Sequence, residues 1–177
     1  MAEDVIGRFI EEEGRYPESV GIILWATSNL RNHGQCVAEF LYLMGLRPVW
    51  QPGSQRVVDL EVIPLEELQR PRVDVTGRIS GLFRDSMPGS VIWLDDAAQR
   101  IAGLDEPTEL NFVRKHVLEE AGELEKSSLD KQAAWRQASY RVFGDPPGAH
   151  GAGTGAVLEA KNWQTIDDIA AVYTRWG

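Results

Sequence analysis

The stretch Pro71-Arg72-Val73-Asp74-Val75-Thr76-Gly77-Arg78-Ile79-Ser80-Gly81-Leu82-Phe83-Arg84-Asp85 constrains the fold more than any other. Its first half alternates apolar and polar residues with the period of two that a β-strand imposes on its side chains. Its second half is a small-residue turn that runs into an Arg-Asp pair. A strand ending at once in Ser, Gly and an ion-pairing couple is where open α/β sheets carry ligand-binding loops. Val20-Gly21-Ile22-Ile23-Leu24-Trp25 is nearly all apolar and reads as a second strand, buried on both faces. A polar loop over 27–34 follows it, then a helix with Val37, Ala38, Leu41 and Met44 on one side, ended by Gly45. Arg47-Pro48-Val49-Trp50 reads as the strand that completes a β-α-β unit.

The remaining chain supplies helices. Val5, Ile6, Phe9 and Ile10 recur at helical spacing over 4–13. Residues 57–63 are β-rich with Asp59 and Glu61 on a wet face, and Pro64 opens a short helix over 64–68. Residues 86–104 read as a helix broken near Pro88-Gly89, and another begins at Asp105-Glu106-Pro107 with a Val113, Val117, Ala121 and Leu124 stripe. A further helix is predicted over 131–143, then an irregular Gly- and Pro-rich loop over 144–155. Thr165 and Asp168 sit in capping-box positions of a last helix, whose Ile166, Ile169, Ala170 and Tyr173 stripe faces the body. The expected fold class is α/β: a small parallel or mixed, Rossmann-like three-layer sheet with additional C-terminal helices. Residues 1–177 form one domain in this reading, an α/β half over 1–104 with a helical half over 105–177 packed on it.

Composition narrows the function classes. Eighteen Lys and Arg stand against 27 Asp and Glu, a net charge of -9. That balance opposes duplex nucleic acid, which is bound by neutralising phosphates with clustered cations, and opposes an anionic membrane surface. Cys36 is the single cysteine, which rules out an intrachain disulfide and a cysteine-based zinc site. The start Met1-Ala2-Glu3-Asp4 lacks the regions of a signal peptide, and no apolar run approaches the roughly 20 residues that span a bilayer. A cytoplasmic setting follows as the expectation. Most of the six tryptophans are expected in core and interface packing.

Two constellations can carry chemistry. If the 20–25 and 73–80 strands are neighbours, the loops after them flank one crevice, and Ser80, Arg84 and Asp85 lie in it. Arg84 can grip a carboxylate through its planar fork, or can pin a helix start together with Asp85. On the helix opened by Asp105, the residues Glu109, Asn111, Arg114, Lys115 and His116 crowd about two turns. There His116 can serve as a general base or a transient metal ligand, or can simply pair with Glu120 on a solvated face. His33, His116 and His150 fall in no dense ligand motif, so no permanent metal site is expected. Gly151-Ala152-Gly153-Thr154-Gly155-Ala156 matches a dinucleotide fingerprint formally, but a loop precedes it where a buried strand is needed.

Pro71 to Val75, Ser80 to Asp85, Asp105-Glu106-Pro107 and Asn111 to His116 together resemble the CobN and magnesium chelatase H-subunit family, the large subunits of cobaltochelatase and magnesium chelatase. Leu24-Trp25, Ala38-Glu39, the run Leu41 to Pro48 and Pro147-Gly148-Ala149-His150-Gly151-Ala152-Gly153 extend the resemblance from about residue 16 to 177. The Ile63 to Leu68 spacing and the 147–153 loop are closer to the cobalt branch. The resemblance implies a segment from the C-terminal half of an ATP-dependent ligase that inserts a divalent metal into a tetrapyrrole, as in cobalamin biosynthesis. It implies Co²⁺ (alternatively Mg²⁺) as substrate, ATP on separate AAA+ ATPase subunits, and no permanently bound cofactor. The family's Gly-Thr-His-Gly-x-Leu-Glu motif is absent, Gln35-Cys36 follows Gly34 where an acidic residue is usual, and His150 replaces an aromatic. Within this reading His116 and Glu109 are the catalytic candidates. Arg84, Asp85, Asn111, Arg114 and Glu39 are the substrate-binding ones. The alternatives are a structural module that docks the AAA+ subunits, or a nucleotide-binding α/β domain.

Overall fold

The computed structural model describes residues 2–145, 154–161 and 163–176. Helix α1 (Ala2–Glu13) leads into strand β1 (Ser19–Leu24) and helices α2 (Ala26–Arg31) and α3 (Gln35–Met44). A hairpin of β2 (Leu46–Trp50) and β3 (Val57–Val62) follows, then α4 (Leu65–Leu68) and β4 (Asp74–Ile79). Helices α5 (Gly81–Ser86), α6 (Pro88–Ala102), α7 (Phe112–Lys126) and α8 (Lys131–Ala138) precede β5 (Val142–Gly144), with α9 (Thr154–Ala160) and α10 (Ile166–Trp176) beyond it.

The architecture is mixed α/β, as the element pattern implies. β1, β4 and β5 form a parallel sheet in that order, with Ser19 opposite Asp74 and Gly77 opposite Val142. Leu24, Val75 and Ile79 on its inner face pack with Phe40 and Leu43 of α3, Leu94 and Ala98 of α6 and Val113 of α7. Gly77 makes this packing possible: a Cβ there would stand 3.0 Å from Leu24 and 3.2 Å from Phe40. Parallel pairing explains why the β1 and β4 strands both run into short helices, α2 and α5, at one edge of the sheet.

Several local expectations are corrected. The apolar run of β1 is not covered on both faces: Val20, Ile22 and Leu24 face the core, whereas Ile23 is 53% exposed. β1 is an edge strand, and on its outer face Ile23 lines a cleft with Arg78 of β4 and Tyr173 of α10. β2 does not complete a β-α-β unit with β1. Gly45, at φ 84°, turns the chain sharply at the end of α3, and β2 pairs antiparallel with β3 in its own two-stranded sheet.

The helix expected from Asp105 starts at Phe112 instead. Arg72 N donates to Leu110 O (2.9 Å) and Phe112 N to Arg72 O (3.0 Å), which holds this segment extended against the start of β4. The predicted 131–143 helix stops at Ala138, because Arg141 O accepts from Gly77 N (2.7 Å) and draws the next residues into β5. On α10 the capping contact is present, Asp168 accepting from Thr165 N at 2.9 Å. Its apolar stripe meets the body only in part: Tyr173 lies over Arg78 of β4, whereas Ile166 is 74% exposed. Trp25, Trp50 and Trp163 are exposed rather than in the core, and Trp93 and Trp135 are partly buried. The 146–153 part of the Gly- and Pro-rich loop, including His150 and the first half of the glycine fingerprint, lies outside the described residues.

Candidate functional site

A cavity of about 950 Å³ opens at the amino ends of β1 and β4, between α7 and the 137–143 segment. Asp74, Thr76, His116, Glu119, Tyr140 and Arg141 are among its lining residues. Local sequence sets much of this wall. Asn111 caps α7 by accepting from Arg114 N at 2.9 Å, which fixes the helical phase. Val113 and Val117 then enter the core, and His116 falls on the flank that meets the sheet.

His116 Nδ1 lies 2.8 Å from Asp74 Oδ2, and the other carboxylate oxygen, Oδ1, accepts from Arg141 Nε at 2.7 Å. Arg141 is tied down in turn by donating through Nη1 to the carbonyls of Ala138 (2.7 Å) and Tyr140 (2.8 Å). The Asp74 and Arg141 side chains are only 6% and 5% exposed, so water competes little for these bonds. The second ring nitrogen, Nε2, is 3.6 Å from Glu18, whose carboxylate also accepts from Lys115 Nζ at 2.6 Å. That Lys115 bond is the main reason the Glu18 carboxyl is held below the usual glutamate range.

The other predicted residues fall elsewhere. Arg84 and Asp85 are at the carboxyl edge of the sheet, the opposite end of β4 from Asp74. Arg84 grips Asp85 through Nε (2.8 Å) and Nη2 (3.1 Å) and donates to Asp145 O at 2.6 Å. A smaller cleft of about 220 Å³ lies nearby, lined by Ile23, Trp25, Arg78, Ser80, Asp145 and Tyr173. Ser80 caps α5 through Phe83 N (3.2 Å), and Arg78 pairs with Asp145 at 3.0 Å under the Tyr173 ring.

Asn111 and Arg114 belong to a structural network. Asn111 is fully buried, and its Nδ2 donates to Ile101 O and Glu106 Oε2, both at 2.9 Å. Arg114 donates to Leu104 O at 2.6 Å and pairs with Asp105. Glu109 is exposed and acts on Lys115 through its charge. Glu39 is half-buried on a third cleft of about 410 Å³, beside Glu3, Tyr42 and Arg47. Among the described residues no group of three or more His, Cys, Asp or Glu side chains is placed to hold a metal ion. No described helix is long and apolar enough to cross a membrane.

A family model described as CobN/Magnesium Chelatase matches residues 1–177. The chain belongs to the CobN/magnesium chelatase family. It is 50% identical over its whole length to an uncharacterised protein of Methanocaldococcus jannaschii, and covers 14% of that protein. It is 43% identical to the aerobic cobaltochelatase subunit CobN of Pseudomonas aeruginosa, over 98% of this chain and 14% of the relative. The catalytic subunit of cobaltochelatase from Mycobacterium tuberculosis has the same fold, with a TM-score of 0.87 at 44% identity, covering 99% of this chain and 14% of that one. The chain thus spans about one-seventh, 14%, of the length of the curated relatives it matches.

Within this segment of a CobN/magnesium chelatase large subunit, the polar groups that sequence reasoning missed include buried Asp74, Arg141 and Arg72 and the part-buried Glu106. Arg72, wholly buried, makes a bidentate pair with Glu106 at 2.7 and 2.9 Å. It also donates to the carbonyls of Gly45 (3.0 Å) and Ile63 (2.8 Å). The signal for Asp74 was present but silent: it occupies a polar position of an alternating strand, where solvent was the default neighbour. Arg141 had no signal, since its segment reads as helix. Chemically, a carboxylate fixed on one imidazole nitrogen leaves the other available for proton transfer, which suits the wall of an organic-ligand cavity.

Proposed function

We propose that this chain forms part of the tetrapyrrole cleft of a cobaltochelatase-type large subunit, with His116 accepting pyrrole protons as the metal enters. Insertion of Co²⁺ into a free-base macrocycle releases two N–H protons, and a positioned imidazole can take one of them to solvent. The observation that carries the reading is the 2.8 Å contact of His116 with buried Asp74 on the wall of a cavity of about 950 Å³. That volume is within the roughly 300–1,000 Å³ typical of organic-ligand sites. In this reading Glu109 serves at the rim, through its charge on Lys115. Arg84 and Asp85 lie beyond the far end of β4, which runs about 16–17 Å from Asp74 at its usual rise per residue, and serve a peripheral carboxylate or a subunit contact. Asn111 and Arg114 hold the helix that carries the base, and Glu39 lies on a separate cleft. Identity to cobaltochelatase subunits supports cobalt over magnesium as the substrate ion, and cobalamin biosynthesis as the setting. ATP hydrolysis then belongs to AAA+ partner subunits, in the cytoplasm.

A second reading, a scaffold that docks those ATPase subunits, is favoured by the exposure of Ile166 and Tyr173 on the apolar stripe of α10. One experiment separates the two. His116→Ala in the full-length large subunit is expected to slow metal insertion by about 10²–10⁴-fold, the usual worth of a general base, with ATPase-subunit capture unchanged. Unaltered insertion refutes the cleft reading. Loss of capture on truncating α10, with tetrapyrrole binding intact, supports the scaffold.

A further inference from the structure

We infer that Asp74 and Arg141 are positioning residues that lock His116 in the Nδ1–H tautomer, so that Nε2 is its proton-accepting atom. The inference rests on the reading of His116 as a base, but its geometry stands apart from that reading. Asp74 Oδ2, as a carboxylate oxygen, can only accept, so the ring nitrogen 2.8 Å away must carry the proton. The carboxylate cannot swing away, because Arg141 Nε donates to its other oxygen at 2.7 Å. Arg141 cannot follow a displaced carboxylate either, since its Nη1 is held by the Ala138 and Tyr140 carbonyls. The three parts come from separate elements: the first residue of β4, the middle of α7 and the turn before β5. The Asp74 and Arg141 side chains are 6% and 5% exposed, so water competes little for the bonds on the Asp74 side. Free histidine side chains favour the opposite, Nε2–H form, so the arrangement works against the default. In a neutral imidazole locked this way, Nε2 keeps its lone pair and is the atom able to accept a pyrrole proton.

The test is the histidine side-chain ¹⁵N–¹H correlation spectrum of the 177-residue chain at alkaline pH, where imidazoles are neutral. With three histidines in the chain, His116→Gln identifies the resonances by their loss. The Nδ1–H form of His116 should outweigh the Nε2–H form by about tenfold or more, as a charge-assisted hydrogen bond dictates. A dominant Nε2–H form overturns the proposal, and this measurement needs no variant at Asp74. In Asp74→Asn the amide oxygen stays on the obligate donor Arg141 and the amide N–H turns to Nδ1, so the preference should reverse. An unreversed preference in a folded variant also overturns it. Failure here is distinct from failure of the base reading. The expected tautomer together with unimpaired insertion by His116→Ala keeps the lock and discards the base. The wrong tautomer with impaired insertion keeps the base and discards the lock.

Discussion

Replacing Glu106 with glutamine should destabilise the fold more than any surface charge change. Arg72 has no exposed side-chain surface and Glu106 has 17%, and they meet through two bonds of 2.7 and 2.9 Å. Glutamine keeps the shape but removes the charge and one acceptor, leaving a buried guanidinium facing an amide. Breaking a buried pair from one side costs about 3–5 kcal/mol, because the remaining charge is uncompensated. Asn111 Nδ2 also donates to Glu106 Oε2 at 2.9 Å, so the start of α7 is loosened in the same step. For a chain of this size each kcal/mol lowers Tm by about 2–4 °C, which gives a fall of roughly 6–20 °C. Urea and thermal melts followed by the fluorescence of the six tryptophans read it directly. The control is Arg47→Gln: its pairs with Glu61 and Glu67 have side chains 42–53% exposed, so solvent screens them and its loss should leave Tm nearly unchanged. The double change Arg72→Met with Glu106→Leu should recover part of the loss, but not all of it. The carbonyls of Gly45 and Ile63 lose their donor, at about 1–3 kcal/mol for a buried group left unpaired. A Glu106→Gln loss below about 1 kcal/mol, or one no larger than that of Arg47→Gln, would refute the assignment of this network as the anchor of the fold.

Gly45→Ala should cost about 2–4 kcal/mol, since φ is 84° and the new methyl meets the Arg72 guanidinium and Leu68; a chemical melt that shifts by less than half of this contradicts the close packing. Lys115→Met should lower Tm only within a pH window. Glu18 is held below the ordinary glutamate value of about 4.3, so its share of the pair is present above that pH and lost as pH falls through the lowered value. Lys115 is raised above its ordinary value of about 10.4, so its share is present below that and lost as pH rises through the raised value. Melting curves of both proteins across pH should converge at the two extremes, and a constant gap would contradict the pairing.

Features set by neighbours in sequence were legible without the structure. The alternation over β4 gave a strand, and the Thr165 and Asp168 capping positions gave a helix start. The order of strands and helices implied an α/β fold because each element must bury one face on the next. Pairing across long separations was not legible. Asp74 meets His116 from 42 residues away and Arg141 from 67 away, and no local periodicity encodes such a contact. The same holds for β5, whose three residues become a strand only because β4 offers a partner edge.

The crevice residues show the division most clearly. By itself the sequence determined that a strand runs into a small-residue turn bearing Arg84 and Asp85, because alternation and turn chemistry are local physics. Only the tertiary structure decided that this loop lies at one end of β4 and His116 at the other. Which strand neighbours which, and which polar side chains are buried together, depends on the packing of the whole core. There a carboxylate removed from water must find its donors wherever the chain brings them.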